Sequence, residues 1–321
     1  MHEVLERISE IGIVPVIAIQ DEGKAVPLAK ALSAGGIPCA EVTFRTAQGE
    51  ESIRRIAKDV PEVLLGAGTV TTAAQVDRAI DAGAKFIVSP GFNPKIVAYC
   101  LQKNIPITPG CANPSDIEAA MEFGLEVVKF FPAEQAGGID YIKAIAAPYT
   151  GMRFIPTGGV NAGNINKYLA FEKIIACGGS WMVSADLLNA GDFDGITRLC
   201  KEAVRTVQGF ELAYVGINSA SEQEALGMAE LFAAAFGFEV KNGNSSVFAG
   251  SGVEVMKEPY LGKHGHIGIR VNSVPRAMAY LKAKGFGFND STAKTDAKGK
   301  ISAVYLEKEF GGFAVHIVQK K

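Results

Sequence analysis

Apolar residues along the first two hundred positions fall in short runs: Val14–Ile19, Ile37–Phe44, Val63–Ala67, Lys85–Ser89, Ile105–Thr108, Leu125–Phe130, Arg153–Pro156 and Lys173–Ala176. Runs of this length bounded by Gly and Pro read as buried strands. Between them apolar positions recur at helical spacing, as in Ala25–Ala34, Ser52–Asp59, Ala73–Ala82 and Ile117–Phe123. Several of these segments end in glycine, as helix C-termini prefer. An amphipathic segment precedes the first run, and a last helix is expected over Ile196–Val207. Eight strands alternating with helices predict an α/β fold, a (β/α)8 TIM barrel, over residues 1–208. An open doubly wound sheet is the competing arrangement.

The pattern changes near Phe210. Glu211–Ile217 reads as a strand, Ser221–Phe236 as a helix, and Phe238–Lys241, Ser245–Ala249 and Val253–Met256 as strands. The same order returns in His264–Val271, the helix Val274–Lys284, and strands near Phe286–Asn289, Ile301–Leu306 and Phe313–Val318. Both helices run into a Gly-Phe pair, Gly237-Phe238 and Gly285-Phe286, which marks an internal duplication. Residues 209–321 are therefore expected to form an α+β domain of two βαβββ modules.

Composition is compatible with two cores, since 48% of the 321 residues are apolar. A formal charge of −2 and the lack of a basic run argue against a nucleic-acid partner. The first residues carry charge where a secretory signal needs an apolar run, and no later run is long enough to span a bilayer. A cytoplasmic protein that does not engage a membrane is expected. The five cysteines (Cys39, Cys100, Cys111, Cys177, Cys200) are scattered and odd in number, so neither a disulfide framework nor a thiolate zinc site is suggested.

Candidate chemistry gathers where the expected barrel strands end. Lys129 interrupts the apolar run Val127–Ala133 and shares a strand face with Val127 and Phe131, which pushes its amine toward a desolvated place and favours the neutral nucleophile. A snorkelling lysine at a strand end is the bland alternative. Glu41, Thr43 and Arg45 occupy one face of the second strand, where polar groups need partners or a ligand. An internal Glu41–Arg45 ion pair would satisfy them equally well. Gly158-Gly159 after the seventh run and Gly178-Gly179 after the eighth leave N–H groups available to an anion at the two places where barrels often bind phosphate. Thr157 and Ser180 add hydroxyl donors.

Six motifs, E-V-T-F-R-T at Glu41–Thr46, G-A-G-T at Gly66–Thr69, S-P-G at Ser89–Gly91, K-F-F-P-A at Lys129–Ala133, P-T-G-G-V at Pro156–Val160 and G-G-S-W at Gly178–Trp181, recur in order across roughly residues 1–207. This portion resembles the 2-keto-3-deoxy-6-phosphogluconate / 4-hydroxy-2-oxoglutarate aldolases. The resemblance implies that Lys129 forms a Schiff base with pyruvate, that Glu41 shuttles protons, and that Arg45 holds the pyruvate carboxylate. Thr69 would hydrogen-bond the keto acid, Pro90 and Phe131 would pack beside it, and Gly158, Gly159, Gly179 and Ser180 would receive the phosphate. It further implies a small keto acid and a phosphorylated aldehyde as partners, no cofactor for the aldol step, a homotrimer, and a place in the Entner–Doudoroff pathway. The same lysine chemistry would serve 4-hydroxy-2-oxoglutarate or the galactonate epimer, and a phosphosugar-binding regulator is the non-enzymatic alternative. One departure is Asn113 before Pro114, where the family usually has threonine; asparagine caps a helix equally well.

Residues 209–321 resemble a vicinal oxygen chelate, or glyoxalase-like, domain. The resemblance points to Tyr214, Glu254, His266 and His316 as the cup residues, although Tyr214 stands where histidine or glutamine is usual and His316 where glutamate is common. It implies that Glu254, His266 and His316 hold a divalent metal, since two histidines and a carboxylate can bind facially. A pseudo-enzymatic cup whose polar residues only hydrogen-bond is the alternative.

Overall fold

The computed structural model describes residues 1–320. The chain divides into two compact units, Met1–Val207 and Gln208–Lys321.

In the first unit the order is α1 (Glu3–Ile11), β1 (Ile13–Ile17), α2 (Ala25–Ala34), β2 (Cys39–Thr43), α3 (Gly49–Asp59), β3 (Leu64–Gly68), α4 (Ala73–Ala82) and β4 (Phe86–Val88). It continues with α5 (Pro94–Gln102), β5 (Ile107–Thr108), α6 (Pro114–Glu122), β6 (Val127–Phe130), α7 (Gly138–Ala146), β7 (Arg153–Pro156), α8 (Ile165–Leu169), β8 (Cys177–Gly179), α9 (Ala185–Ala190) and α10 (Phe193–Gln208). All eight strands pair in parallel. Six form one sheet in the order β5-β4-β3-β2-β1-β8, and β6 pairs with β7.

Backbone bonds close the ring. Cys111 N donates to Lys129 O at 2.8 Å and Lys129 N to Pro109 O at 3.0 Å, joining β5 to β6. Phe154 N donates to Lys173 O at 2.8 Å and Ile175 N to Phe154 O at 3.2 Å, joining β7 to the approach to β8. The fold is thus the barrel, and the doubly wound alternative is excluded. The eighth strand differs from expectation: it lies at Cys177–Gly179, not Lys173–Ala176, so the glycine pair is part of the strand. Gly178 and Gly179 pair with Val14 and Pro15 of β1, which draws the ladder past the apolar run.

Inside the ring, Val14, Cys39, Leu64, Phe86, Val88, Val127 and Ile155 pack into one cluster with Leu5 and Ile8 of α1. Helix α1 is capped by His2, whose Nδ1 accepts from Val4 N at 3.2 Å, and its buried stripe makes it a plug for this interior. Asn113 caps α6 by accepting from Asp116 N at 3.1 Å, with Pro114 at the first helical position.

The second unit contains β9 (Glu211–Asn218), α11 (Glu222–Phe236), β10 (Val240–Asn242), β11 (Ser246–Ala249), β12 (Val253–Met256), β13 (Gly265–Val271), α12 (Val274–Ala283), β14 (Phe288–Thr295), β15 (Ile301–Leu306) and β16 (Phe313–Gln319). One eight-stranded sheet runs β10-β11-β12-β9-β13-β16-β15-β14. Its halves mirror each other: β9 pairs in parallel with β12, β13 in parallel with β16, and β9 meets β13 antiparallel in the middle. The duplication read from the sequence is therefore an architectural one. Each helix buries its apolar stripe on its own half, α11 over Val247, Ala249 and Val255, α12 over Val304, Val315 and Ile317. The strand expected near Phe286–Asn289 runs on to Thr295, past a register irregularity after Asn289.

Candidate active site

β2 and β6 stand opposite each other in the ring, so side chains pointing inward from them meet across the interior. Lys129 and Glu41 do so: Nζ lies 3.6 Å from Oε1, with the two residues only 7% and 3% exposed. That separation is an ion pair longer than a hydrogen bond. Glu41 reaches this position by lying over Gly68 of the neighbouring β3, where a Cβ would run into the carboxylate. A cavity of about 10 Å³ adjoins the pair, lined by Ile8, Val14, Phe86, Val88, Thr108, Ile155 and Thr157 as well as Glu41 and Lys129. It is about the size of a single water.

The expected strand-end residues surround this pair. Arg45 lies beyond β2, exposed, and its Nε donates to Thr43 Oγ1 at 3.2 Å, while Thr43 donates to Ile17 O at 3.1 Å. No ion pair joins Arg45 to Glu41 among the described residues; Glu41 faces Lys129 instead. Thr69 follows β3 with φ 59, a left-handed conformation rare outside glycine and a form of strain that concentrates at functional sites. Pro90 is exposed after β4. Phe131 follows β6 at 38% exposure, with its ring centroid 5.2 Å from Lys129 Nζ. Thr157 is buried directly after β7, against Gly178 of β8, and Ser180 is exposed directly after β8.

Gly158 and Gly159 both take positive φ, 101° and 81°. Their loop is pinned from behind: Ala133 N donates to Thr157 O at 2.8 Å and Glu134 N to Gly158 O at 3.0 Å. Asn161 Nδ2 and Asn164 Nδ2 each donate to Gly159 O at 3.1 Å. Sequence reasoning gave no role to these two asparagines or to Thr108. Thr108 carries a legible signal, a polar residue closing an apolar strand. The asparagines do not, since Asn in a loop is ordinary turn chemistry.

The cysteines take no part in this site. All five are buried and none forms a disulfide, and burial pushes the thiols of Cys39, Cys100, Cys111 and Cys200 up to about 12, which leaves those four inert.

In the second unit the four cup residues come together in two pairs. Glu254 on β12 and His266 on β13 flank Gly216 of β9, and His266 Nε2 lies 3.1 Å from Glu254 Oε2. Tyr214 on β9 and His316 on β16 flank Gly268 of β13, and the Tyr214 hydroxyl lies 3.1 Å from His316 Nε2. A Cβ on Gly216 would run into the His266 ring. Ser246 extends the first pair by donating to Glu254 Oε1 at 2.6 Å, and Tyr305 stacks on His316 with centroids 4.5 Å apart.

Burial works to raise the Glu254 carboxyl, but hydrogen bonds from His266 and Ser246 hold it below its ordinary value. Burial, with repulsion from His266, lowers His316 to about 4, and burial beside Glu254 pushes Tyr214 up to about 12. The expected metal set of Glu254, His266 and His316 finds no support in this arrangement. Among the described residues no three His, Cys, Asp or Glu side chains converge to hold an ion. The physical reason is the pairing across two different glycines, which engages each Nε2 with a neighbouring side chain. His266 Nδ1 is left buried without a hydrogen-bond partner among the described residues.

The model of the KDPG and KHG aldolase family matches residues 4–199. A 2-dehydro-3-deoxy-phosphogluconate aldolase of Treponema pallidum (strain Nichols) is 49% identical over 207 residues, 64% of this chain and 99% of that protein. The KHG/KDPG aldolase of Escherichia coli (strain K12) is 46% identical over 192 residues, 60% of this chain and 90% of that protein. Among solved structures, the KDPG aldolase of Legionella pneumophila with pyruvate captured as a covalent carbinolamine is similar at 36% identity and a TM-score of 0.61. That match covers 63% of this chain and 98% of that one.

Proposed function

The chain belongs to the KDPG and KHG aldolase family, and on that premise we propose that Lys129, Glu41 and Arg45 carry its carbon–carbon lyase reaction. The enzyme cleaves 2-keto-3-deoxy-6-phosphogluconate to pyruvate and glyceraldehyde 3-phosphate. The observation that supports this assignment of roles is the buried Lys129–Glu41 pair, 3.6 Å apart across the barrel interior. Membership of an enzyme family also sets aside the phosphosugar-binding regulator.

The Lys129 amine adds to the C2 ketone, and loss of water gives an iminium. Removal of the C4 hydroxyl proton lets the C3–C4 electron pair flow to the iminium, so the aldehyde leaves and an enamine remains. Glu41 takes that proton, directly or through one water in the small cavity beside it, and returns a proton to C3. Hydrolysis of the resulting imine frees pyruvate and the amine. Arg45 presents a planar fork to the keto-acid carboxylate. Thr69 hydrogen-bonds the keto acid, Pro90 and Phe131 wall it, and Thr157, Gly158, Gly159, Gly179 and Ser180 take the phosphate. No metal is required in these steps.

Borohydride reduction in the presence of pyruvate should add the pyruvate-derived mass to the peptide holding Lys129. Labelling at Lys85 or Lys143 instead would reject the assignment. A second substrate, 4-hydroxy-2-oxoglutarate, is supported by the double name of the Escherichia coli relative. The assembly proposed is a homotrimer, measurable by light scattering. A cytoplasmic, Entner–Doudoroff role agrees with five buried cysteines that form no disulfide, and no helix among the described residues is long and apolar enough to cross a membrane.

For the second unit, the tandem βαβββ sheet supports a glyoxalase-like module whose cup is held by hydrogen bonds, with a role in binding or assembly. Chelation should leave aldol cleavage unchanged.

A further inference from the structure

A trans peptide points its C=O and the following N–H in opposite directions. Whatever holds a carbonyl in the glycine loop therefore also aims the next N–H. Gly158 O is held by Glu134 N at 3.0 Å, which aims the N–H of Gly159. Gly159 O is held differently, by two side-chain amides, Asn161 Nδ2 and Asn164 Nδ2, each at 3.1 Å, which together aim the N–H of Val160. The two asparagines are fixed in turn. Asn164 Oδ1 accepts from Asn161 N at 2.8 Å, and Asn161 Oδ1 accepts from Gly163 N at 2.8 Å. Among the described residues neither Gly159 N nor Val160 N has an acceptor.

We infer that Asn161 and Asn164 are positioning residues that set the preference for a phosphorylated substrate, by clamping the Gly159 carbonyl so that the Gly159 and Val160 N–H groups face the phosphate together. The inference rests on the proposed phosphate role of this loop and adds to it the device that orients it. Gly159, with its positive φ, belongs to a glycine-rich loop in which an unheld peptide would rotate easily, and rotating the 159–160 peptide would turn a carbonyl oxygen toward the anion. Two donors on one oxygen oppose that rotation. Neither asparagine needs to touch the substrate, so neither is a catalytic residue.

The test compares two substrates in Asn161→Ala and Asn164→Asp, the latter keeping side-chain size but removing the amide donor. KM for the 6-phosphorylated keto acid should rise about tenfold in Asn164→Asp, the scale of one lost hydrogen bond of about 1.4 kcal/mol. The kinetic constants for 4-hydroxy-2-oxoglutarate should move less than twofold, and borohydride trapping with pyruvate should be unchanged. A merely structural role would disturb both substrates alike, and equal changes overturn the inference. So does an unchanged KM for the phosphorylated acid in both variants. Competitive inhibition of the wild type by inorganic phosphate separates the two levels. If it occurs and the variants behave as wild type, only the clamp is wrong; if the wild type shows none, the phosphate reading of the loop falls with it.

Discussion

A Cβ on Gly68 of the barrel would run into the Glu41 carboxylate, and a Cβ on Gly216 of the C-terminal sheet would run into the His266 ring. In both places a glycine lets an ionisable side chain lie across a neighbouring strand. In the barrel the side chain so placed stops 3.6 Å from Lys129 Nζ, beside a cavity of about 10 Å³, with hydrogen-bonding capacity unspent. In the sheet, Glu254, His266, Tyr214 and His316 take one another as partners at 3.1 Å, and Ser246 takes the remaining carboxylate oxygen. Buried polar groups are ordinarily hydrogen-bonded, so the incomplete set is the one we propose for a substrate. His266 Nδ1 is an exception within the completed set.

The two regions should part most visibly at Lys129. Lys129→Ala should lower turnover by on the order of 10⁴ or more and abolish borohydride trapping. Hydrogen exchange across β9–β16 should be unaltered. Retained turnover would remove the barrel pair from the chemistry.

Next in size are Glu41→Gln and Gly68→Ala. Glu41→Gln should reduce kcat by on the order of 10² to 10⁴ while leaving Lys129 able to be trapped with pyruvate. Gly68→Ala should act in the same direction, because the added methyl displaces the same carboxylate. If Glu41→Gln turned over at nearly the wild-type rate, the pair would be a structural one, as the pairs of the cup are.

Acid should separate the regions by stability. His316 is held at about 4 against an ordinary 6.5, so between these values the unfolded chain binds a proton that the folded cup does not. Stability of the second unit should therefore be full above about pH 6.5 and decline as pH falls toward 4, by on the order of 3 kcal/mol in total. Glu254, held low, adds to the loss below its ordinary value, while His266, Lys294, Tyr214 and Tyr305 surround the site. Exchange protection in β13 and β16 should track this loss. Trp181, the single tryptophan, lies in the barrel and should not report it. A pH-independent second unit would mean His316 is protonated in place.

The smallest effect is expected at the glycines. Gly216→Ala should cost about 1–3 kcal/mol in the second unit, the scale of an overpacked core, with aldol turnover unchanged. A loss of turnover comparable to that of Gly68→Ala would show that the cup shares in the chemistry.

Much of the barrel was legible because its strands are buried on both faces and read as apolar runs, so that Lys129 and Glu41 stand out as intrusions. The exception was β8, where Cys177-Gly178-Gly179 offers little apolar signal and only pairing with Val14 and Pro15 makes a strand. The duplication of the second unit was equally legible from the two Gly237-Phe238 and Gly285-Phe286 marks. The fate of its polar residues was not. Tyr214, Glu254, His266 and His316 could be named, but a metal set and two hydrogen-bonded pairs use the same residues.

Periodicity and residue type are local properties, so most of the elements, their order, and the candidate reactive side chains could be read from the chain alone. Tertiary structure decided which of those side chains meet. Glu41 and Lys129 lie four strands apart, roughly 19 Å in an open sheet at ordinary strand spacing, and only closure of the ring brings them within 3.6 Å. His266 pairs with Glu254 because β9 sets Gly216 between their strands, and His316 with Tyr214 because β13 sets Gly268 between theirs. Peptide orientation in the Gly158-Gly159 loop follows from Glu134, Asn161 and Asn164 grasping its carbonyls. Each of these depends on strand order, register or loop approach, which no stretch of sequence encodes alone.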